Sequence, residues 1–216
     1  MDPSRWLTPE PAQTEDESPK SSDEVDLVLR VLSGDRAAYG VLVSRYQRRV
    51  YHLAYSILGS WQDAQDVSQE AFFAAYRRLP KLKDPGKFGG WLFGTARHIC
   101  YVTLRKRRVI GEQVPIEEVE FLATRPVEDI PGDREALMLQ GIRDLPEKYQ
   151  VLLRLKYLGG YSYQRVAEML DLPEVTVKSR LFEGRRMLRE RVAYLVRTRD
   201  MRLVPEAFAA PQTVSI

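Results

Sequence analysis

Apolar residues recur at intervals of three and four along most of this chain, which is the spacing of helices that bury one face. No stretch alternates apolar and polar residues as a half-buried strand would. In the first part of the chain, four helices are predicted to begin at Asp23, Asp35, Ser60 and Trp91. They are predicted to end near Gly34, Gly59, Leu79 and Arg108, with a loop rich in Pro, Gly and Lys over residues 80–90. This part is therefore predicted to be a compact helical bundle.

A second helical group is predicted from about Asp133, and it includes two short helices between Ser162 and Arg186. The first helix of this pair has an apolar stripe formed by Val166, Ala167 and Leu170. Pro173 is predicted in the first turn of the second helix, where its missing N–H removes no hydrogen bond. The second helix has an apolar face formed by Val177, Leu181 and Leu188.

The opposite face of this second helix is basic and bears a hydroxyl and an aromatic ring. Its residues are Lys178, Ser179, Phe182, Arg185 and Arg186. A basic helix braced by a partner helix is the arrangement that enters a DNA major groove. The alternative is a solvated basic face on an ordinary helical pair.

Charge is unevenly distributed, although the net charge is only +3. Residues 1–24 carry seven acids, residues 96–108 carry five cations and no acid, and residues 109–135 carry eight carboxylates. This distribution indicates a polyanionic partner for selected surfaces only. With the helix pattern it predicts an all-α fold of two small helical domains, 23–108 and 134–197. A disordered extension (1–22), a flexible linker (109–133) and a tail (198–216) complete the predicted organisation.

Cysteine usage and hydropathy predict the compartment. Cys100 is the sole cysteine, so no intrachain disulfide forms, which fits a reducing compartment. The polar N-terminus shows no signal region, and no apolar run approaches about 18–20 residues. We therefore expect a soluble cytoplasmic protein that does not insert into a membrane.

An acidic stripe on the third predicted helix is a candidate site. Asp63, Asp66 and Glu70 fall within about 60° of one another at helical spacing. The stripe is either a solvated face or a docking surface for a basic protein. A metal site is the weaker interpretation, because no nearby His supplements the carboxylates. A hydrolase centre is weaker still, since no nucleophile or phosphate-binding Gly loop accompanies them.

The fourth predicted helix interleaves aromatic and cationic residues. Its buried side is predicted to carry Trp91, Thr95, Ile99 and Val102. Its opposite side is predicted to carry Phe93, Arg97, Tyr101, Leu104 and Arg108. Rings stack on unpaired bases while Arg and Lys follow phosphates, so this side suits single-stranded nucleic acid. Packing of Phe93 and Tyr101 inside the protein is the alternative.

Several motifs in one order resemble the extracytoplasmic-function sigma factors of bacterial RNA polymerase. Asp63–Phe72 (DAQDVSQEAF) resembles the family's DAxDxxQExF helix. Trp91–Arg97 with Arg105–Arg108 resembles its WLxxxAR and RRR segments. Leu145-Pro146 and Thr176–Leu181 (TVKSRL) resemble signatures of the second domain. The resemblance covers about residues 24–195 and implies sigma-2-like and sigma-4-like domains in a promoter-specificity subunit that is not an enzyme and needs no cofactor.

The resemblance also implies roles for individual residues. Core polymerase would be bound through its largest subunit's clamp helices and its second-largest subunit's flap. The clamp contacts would be Asp63, Asp66, Gln69 and Glu70. The non-template strand of the −10 element would contact Lys83, Lys87, Phe88, Phe93, Arg97, Tyr101, Arg105 and Arg108. The −35 duplex would contact Lys178, Ser179, Arg180, Phe182, Arg185 and Arg186. The family also implies a cognate anti-sigma factor.

Five positions depart from the family's pattern. They are His98 for Asn, Val102 for Asp, Arg165 for Glu, Pro173 for Ser and Glu183 for Arg. These changes are expected to alter promoter preference more than fold. His98 and Cys100 are too few ligands to indicate a metal site.

Two other classes of function are weighed against a sigma factor. A helix-turn-helix repressor or activator would bind a palindrome as a dimer without polymerase, and would leave the first domain without a role. A metal-dependent enzyme would lose activity on Asp66→Ala.

Overall fold

The computed structural model describes residues 21–110 and 132–202, and within these ranges the chain is helical with no strand. The described residues form eight α-helices. The first four are α1 (Ser21–Leu32), α2 (Arg36–Leu58), α3 (Trp61–Arg78) and α4 (Phe88–Ile110). The second four are α5 (Gly132–Arg143), α6 (Glu147–Leu153), α7 (Tyr163–Leu170) and α8 (Glu174–Arg202). We call α1–α4 the N-terminal group and α5–α8 the C-terminal group. The all-α prediction is confirmed for the described residues.

Side-chain caps fix several helix ends where the sequence predicts them. Asp35 accepts hydrogen bonds from the backbone N–H groups of the first turn of α2, and Gly59 ends that helix in the left-handed region at φ 71°. Ser60 accepts from the Asp63 N–H at the start of α3. Asp171 ends α7 at φ 56°, a conformation that Asp adopts more readily than most residues.

Four helix limits differ from the prediction. α1 begins at Ser21, so Asp23 lies within its first turn rather than at its cap. α4 begins at Phe88, three residues before Trp91, after two 3₁₀ turns at Leu79–Lys81 and Pro85–Lys87. Pro173 directly precedes α8 instead of lying in its first turn, and α8 extends through Arg202 into the predicted tail.

The N-terminal group is built around α2, which packs against α1, α3 and α4. Leu42, Val50 and Leu53 of α2 are fully buried. Gly89 is required at the start of α4, because a Cβ there would lie 2.6 Å from the Tyr46 hydroxyl oxygen. This close approach packs α4 directly against α2, which leaves the opposite side of α4 to line the groove described below.

The C-terminal group packs α5, α6 and α7 against α8. Val177, Leu181 and Leu188 of α8 are buried, as their spacing predicts. A π-helical turn, Arg154–Leu158, follows α6. The two groups also contact each other, because α2 packs against α6 and this π turn, and α4 packs against α7.

The predictions for the N-terminal extension, the middle of the linker and the end of the tail fall on residues 1–20, 111–131 and 203–216, which lie outside the described residues. Within residues 21–110 and 132–202, no helix is both long enough and apolar enough to cross a membrane.

Candidate nucleic-acid interface

The outer face of α8 presents a lysine ammonium, a serine hydroxyl and a phenylalanine ring to solvent. The Phe182 side chain is 67% exposed, and Lys178 and Ser179 are exposed beside it. The Lys178 ammonium lies 2.6 Å from Glu174 one turn earlier and 5.8 Å from the centre of the Tyr163 ring. Because this ion pair is exposed, it is weak, and Lys178 can exchange Glu174 for another acceptor.

The arginines on this face of α8 differ in their exposure to solvent and in their ion pairs. Arg185 is half-buried and donates to the Leu181 carbonyl, and Arg180 is also half-buried. Arg186 is exposed but pairs with Glu183 at 2.6 Å and with Glu190 at 2.8 Å. The hydrogen bond from Arg186 lowers the pKa of the Glu183 carboxyl. Glu183 is therefore part of an ion-pair cluster that fixes Arg186.

A groove of about 1000 Å³ lies along α4 between the end of α3, the loop before α4 and the end of α7. All five cations that line it belong to the N-terminal group, and they are Arg78, Lys83, Lys87, Arg97 and Lys106. Four carboxylates line it as well, Glu70 and Asp84 from the N-terminal group and Glu168 and Asp171 from α7 and its end. Trp91, His98 and Ile99 also line it. A cationic groove with an aromatic ring suits a single strand of nucleic acid, whose phosphates and bases it can bind together.

Burial within α4 corrects the predicted orientation of this helix. Phe88 and Phe93 are fully buried, and their rings meet the Tyr46 ring edge-on, with centroids 5.6 and 5.9 Å apart. The prediction that they contact DNA is therefore wrong in this structure, because both are core residues. The buried side of α4 is completed by Leu92, Ala96 and Cys100. The predicted buried residues Trp91, Thr95, Ile99 and Val102 instead line the groove.

The other predicted strand contacts have different environments. Lys83, Lys87, Tyr101 and Arg105 are exposed. Arg97 is only 17% exposed, because its guanidinium contacts the end of α7. The side chain of Arg108 lies outside the part of the chain whose side chains are described. Arg78 and Lys106 line the groove although they were not predicted to be site residues. For Lys106 the signal that could have found it is its place in the run of cations at Arg105–Arg108, whereas Arg78 of α3 is brought to the groove by packing.

The acidic stripe of α3 divides into two parts. Asp66, Gln69 and Glu70 are exposed, and neither Asp66 nor Glu70 forms an ion pair within the described residues. Asp63 instead pairs with Arg107 of α4, and both side chains are only 18% exposed. Asp63 is thus a link between α3 and α4, which corrects its predicted place on the docking surface. Phe73, 63% exposed one turn after Glu70, adds an apolar group to the face that sequence reasoning missed.

His98 and Cys100 do not form a metal site. They lie on different sides of α4, since His98 is exposed and Cys100 is fully buried. Burial raises the pKa of the Cys100 thiol to about 12, so it remains protonated. Within residues 21–110 and 132–202, no three His, Cys, Asp or Glu residues are grouped as metal ligands would be.

Comparison with known proteins matches both helical groups to one family. Residues 42–109 match Sigma-70 region 2, and residues 135–188 match Sigma-70, region 4. The ECF RNA polymerase sigma-E factor of Haemophilus influenzae is 33% identical over 79% of this chain and 95% of that protein. The chain belongs to the extracytoplasmic-function (ECF) sigma factors. This ECF sigma factor acts in promoter-specific initiation of transcription, the work of a family of non-catalytic initiation factors.

Further relatives and solved structures agree with this assignment. The ECF sigma-E factor of Escherichia coli is 32% identical over 83% of this chain and 99% of that protein. A structure of CnrH in complex with the cytosolic domain of CnrY covers 82% of this chain and 98% of CnrH, with 22% identity and a TM-score of 0.55. The sigma factor RpoE of Bartonella quintana, in complex with the anti-sigma factor NepR, covers 72% of this chain and 96% of its own, with 19% identity and a TM-score of 0.52. These structures support the fold.

Proposed function

We propose that this ECF sigma factor binds core RNA polymerase through α3 and holds promoter DNA at two places. The outer face of α8 reads the −35 duplex, and the groove along α4 holds the opened non-template strand of the −10 element. The N-terminal group acts as the sigma-2-like domain and the C-terminal group as the sigma-4-like domain. The observation that carries this proposal is the presence of two separate cationic surfaces, one convex and one grooved, on a single chain.

The convex surface suits duplex DNA. A helix fits the major groove, and Lys178 and Ser179 are exposed at the N-terminal end of α8, where a reading helix contacts base edges. Phe182 can contact a thymine methyl group. Arg180, Arg185 and Arg186 are better suited to phosphates, because Arg185 and Arg186 are held by other groups of α8.

The groove suits an unpaired strand. Lys83 and Lys87 supply exposed cations in the groove, and Trp91 supplies a ring on which a base can stack. Arg105 is exposed on α4 outside the lining of the groove, where it is proposed to follow the strand's phosphates. Tyr101 is 48% exposed but does not line the groove, so its ring is proposed to contact the strand only beyond the groove's edge. Arg97 joins this set when it leaves its contact with α7. Phe88 and Phe93 support the groove from the core.

Core polymerase is proposed to bind the exposed acidic face of α3. Asp66, Gln69 and Glu70 present carboxylates and an amide that suit a basic helix of the largest subunit, and the sigma-4-like domain is assigned to the flap of the second-largest subunit. An anti-sigma factor is the proposed inhibitor of this chain, as NepR partners RpoE in the Bartonella quintana complex. The chain is proposed to act in the bacterial cytoplasm and to catalyse no reaction itself.

The test is binding of a promoter fragment with and without core polymerase. Full-length protein is mixed with a promoter fragment that carries an opened −10 region, and binding is measured by fluorescence anisotropy. We expect tight binding only when core polymerase is present. Equally tight binding by the protein alone, as a dimer on a palindromic site, would support a repressor instead.

A further inference from the structure

Arg97 is bound by the C-terminal group in the surface where the −10 strand is proposed to lie. Its guanidinium donates a 2.7 Å hydrogen bond to the Met169 carbonyl and lies 3.4 Å from the Asp171 carboxylate. Both acceptors belong to the end of α7. Asp171 has the left-handed conformation, at φ 56°. The guanidinium proposed to bind a phosphate therefore lies against a carboxylate, in a weak pair because the Asp171 side chain is 86% exposed.

Two further contacts join the N-terminal and C-terminal groups, and both involve residues of α2. Arg154, in the π turn, donates a 2.9 Å hydrogen bond to the Ser56 carbonyl. Ser56 lies in the last turn of α2, where carbonyls have no partner within the helix, so the contact satisfies an otherwise unpaired acceptor. The Tyr161 hydroxyl and the His52 Nδ1 lie 2.6 Å apart. Arg154 and His52 are both buried by this packing.

The contacts place two carboxylates at the cationic groove. Glu168 and Asp171 of α7 line it together with Lys83, Lys87 and Lys106. Arg165, where the family usually has Glu, is buried and pairs with Glu168. The end of α7 thus brings negative charge to the place where a strand would bring phosphates.

The contacts cannot persist on a promoter. Elements at −35 and −10 are centred about 25 base pairs apart, which is about 85 Å of duplex at 3.4 Å per pair. In this structure α7, which packs against the DNA-reading helix α8, contacts α4, and Arg97 and Asp171 lie 3.4 Å apart. The two DNA-reading surfaces therefore have to separate before both elements are bound.

We propose that Asp171 is an internal competitor of the −10 strand for Arg97, in a closed form of the free protein that Arg154 and Tyr161 also stabilise. This rests on the proposed function, because it takes Arg97 as a strand contact. DNA binding to the free protein then requires opening, and the apparent affinity is reduced by the fraction of molecules that are closed. Weakening the closed form raises that affinity although no DNA contact is added.

The experiment measures the affinity of the free full-length protein for a fluorescein-labelled single-stranded DNA of random sequence, by anisotropy at low salt. Asp171→Asn removes the carboxylate, and Asn tolerates the left-handed conformation. Asp144→Asn is the matched control, because it removes the same charge from an ion pair, with Arg191 at 2.6 Å, that lies within the C-terminal group. We expect about threefold tighter binding for Asp171→Asn, and about tenfold when Tyr161→Phe is added. Asp144→Asn should change the affinity much less.

The closed form itself is measured by energy transfer between dyes on the two groups. Gln47→Cys in α2 and Gln140→Cys in α5 introduce exposed labelling sites, while the native Cys100 is buried with a raised thiol pKa and resists labelling. Transfer efficiency should fall in the Asp171→Asn, Tyr161→Phe protein and stay at the wild-type value in Asp144→Asn.

Two results would overturn the proposal: unchanged transfer efficiency in the double variant, or a gain in DNA affinity for Asp171→Asn no larger than that for Asp144→Asn. Failure of the proposed strand contact is recognised separately. Arg97→Ala in the holoenzyme, where the closed form is already absent, should weaken binding of an opened −10 fragment. No weakening there would contradict the role of Arg97 and the competition with it, even if transfer still reported a closed form.

Discussion

Asp63 of α3 and Arg107 of α4 form a partly buried ion pair that joins two helices across 44 positions of sequence. The pair places one carboxylate of the acidic stripe partly inside the packing of the N-terminal group rather than on its surface. The pair is formed by Arg107 Nη2 and Asp63 Oδ1, while Asp63 Oδ2 and Arg107 Nη1 are buried without a hydrogen-bond partner within the described residues.

Asp63→Asn is predicted to lower the free energy of unfolding by about 1–3 kcal/mol, because Arg107 would lose its charged partner while partly buried. Urea denaturation measures this change. Asp66→Asn on the exposed face is the control, and it should change stability by less than about 0.5 kcal/mol. A larger loss for Asp66→Asn than for Asp63→Asn would contradict the division of the stripe.

Combined Asp66→Ala and Glu70→Ala substitutions are predicted to weaken binding to core polymerase by about tenfold or more, because both carboxylates are exposed on the proposed docking face. A fluorescence titration of labelled protein with core polymerase measures this. Asp23→Ala with Asp26→Ala removes two exposed carboxylates from α1 and should leave affinity near the wild-type value. Equal affinity of both double variants would remove α3 as the docking surface.

Lys178→Ala is predicted to lower transcription from promoters with a good −35 element by about five- to tenfold, the cost of one lost base contact. In vitro transcription on matched templates measures the effect. Arg189→Ala, an exposed cation on the same helix that is not proposed to read bases, is the control. A loss of the same size on templates with a scrambled −35 element would show that Lys178 contacts phosphate only.

His52 is predicted to make the protein less stable as the pH falls from about 6.5 to about 4. Burial lowers the pKa of this imidazole to about 4, so below pH 6.5 the unfolded chain binds a proton that the folded chain does not. The loss amounts to at most about 3 kcal/mol and is complete near pH 4. Urea denaturation at pH 7 and pH 4.5 measures it, and His52→Gln should remove this part of the pH dependence. An unchanged pH dependence in His52→Gln would show that other groups cause it.

The sequence predicts the helix pair of the C-terminal group well because its signals are local. Asp171 and Pro173 interrupt one apolar stripe, and Val177 with Leu181 begins another, so period and turn chemistry agree. The same agreement at Asp35 and Gly59 fixes both ends of α2. The predicted end of α8 near Val196 had no such signal. No Gly or Pro interrupts the chain there, and the helix continues through Arg202.

The face of α4 could not be predicted in the same way. α4 packs against α2 and α3 and also against α7, so apolar residues surround most of it and two stripes compete. Phe93 belongs to the stripe that packs on Tyr46, a contact 47 positions away in sequence. Contacts between the groups, such as that of Arg154 with Ser56, cannot be predicted from the local pattern either, because an Arg side chain is usually solvated.

In vitro transcription with purified core polymerase on a random promoter library shows whether this protein confers promoter specificity on the polymerase. We expect transcripts only when this protein and core polymerase are both present, from templates enriched in one −35 and one −10 sequence at a fixed spacing. Arg97→Ala should then alter the −10 preference, and Lys178→Ala the −35 preference. Transcription no different from that of core polymerase alone, with no sequence enriched, would contradict the account.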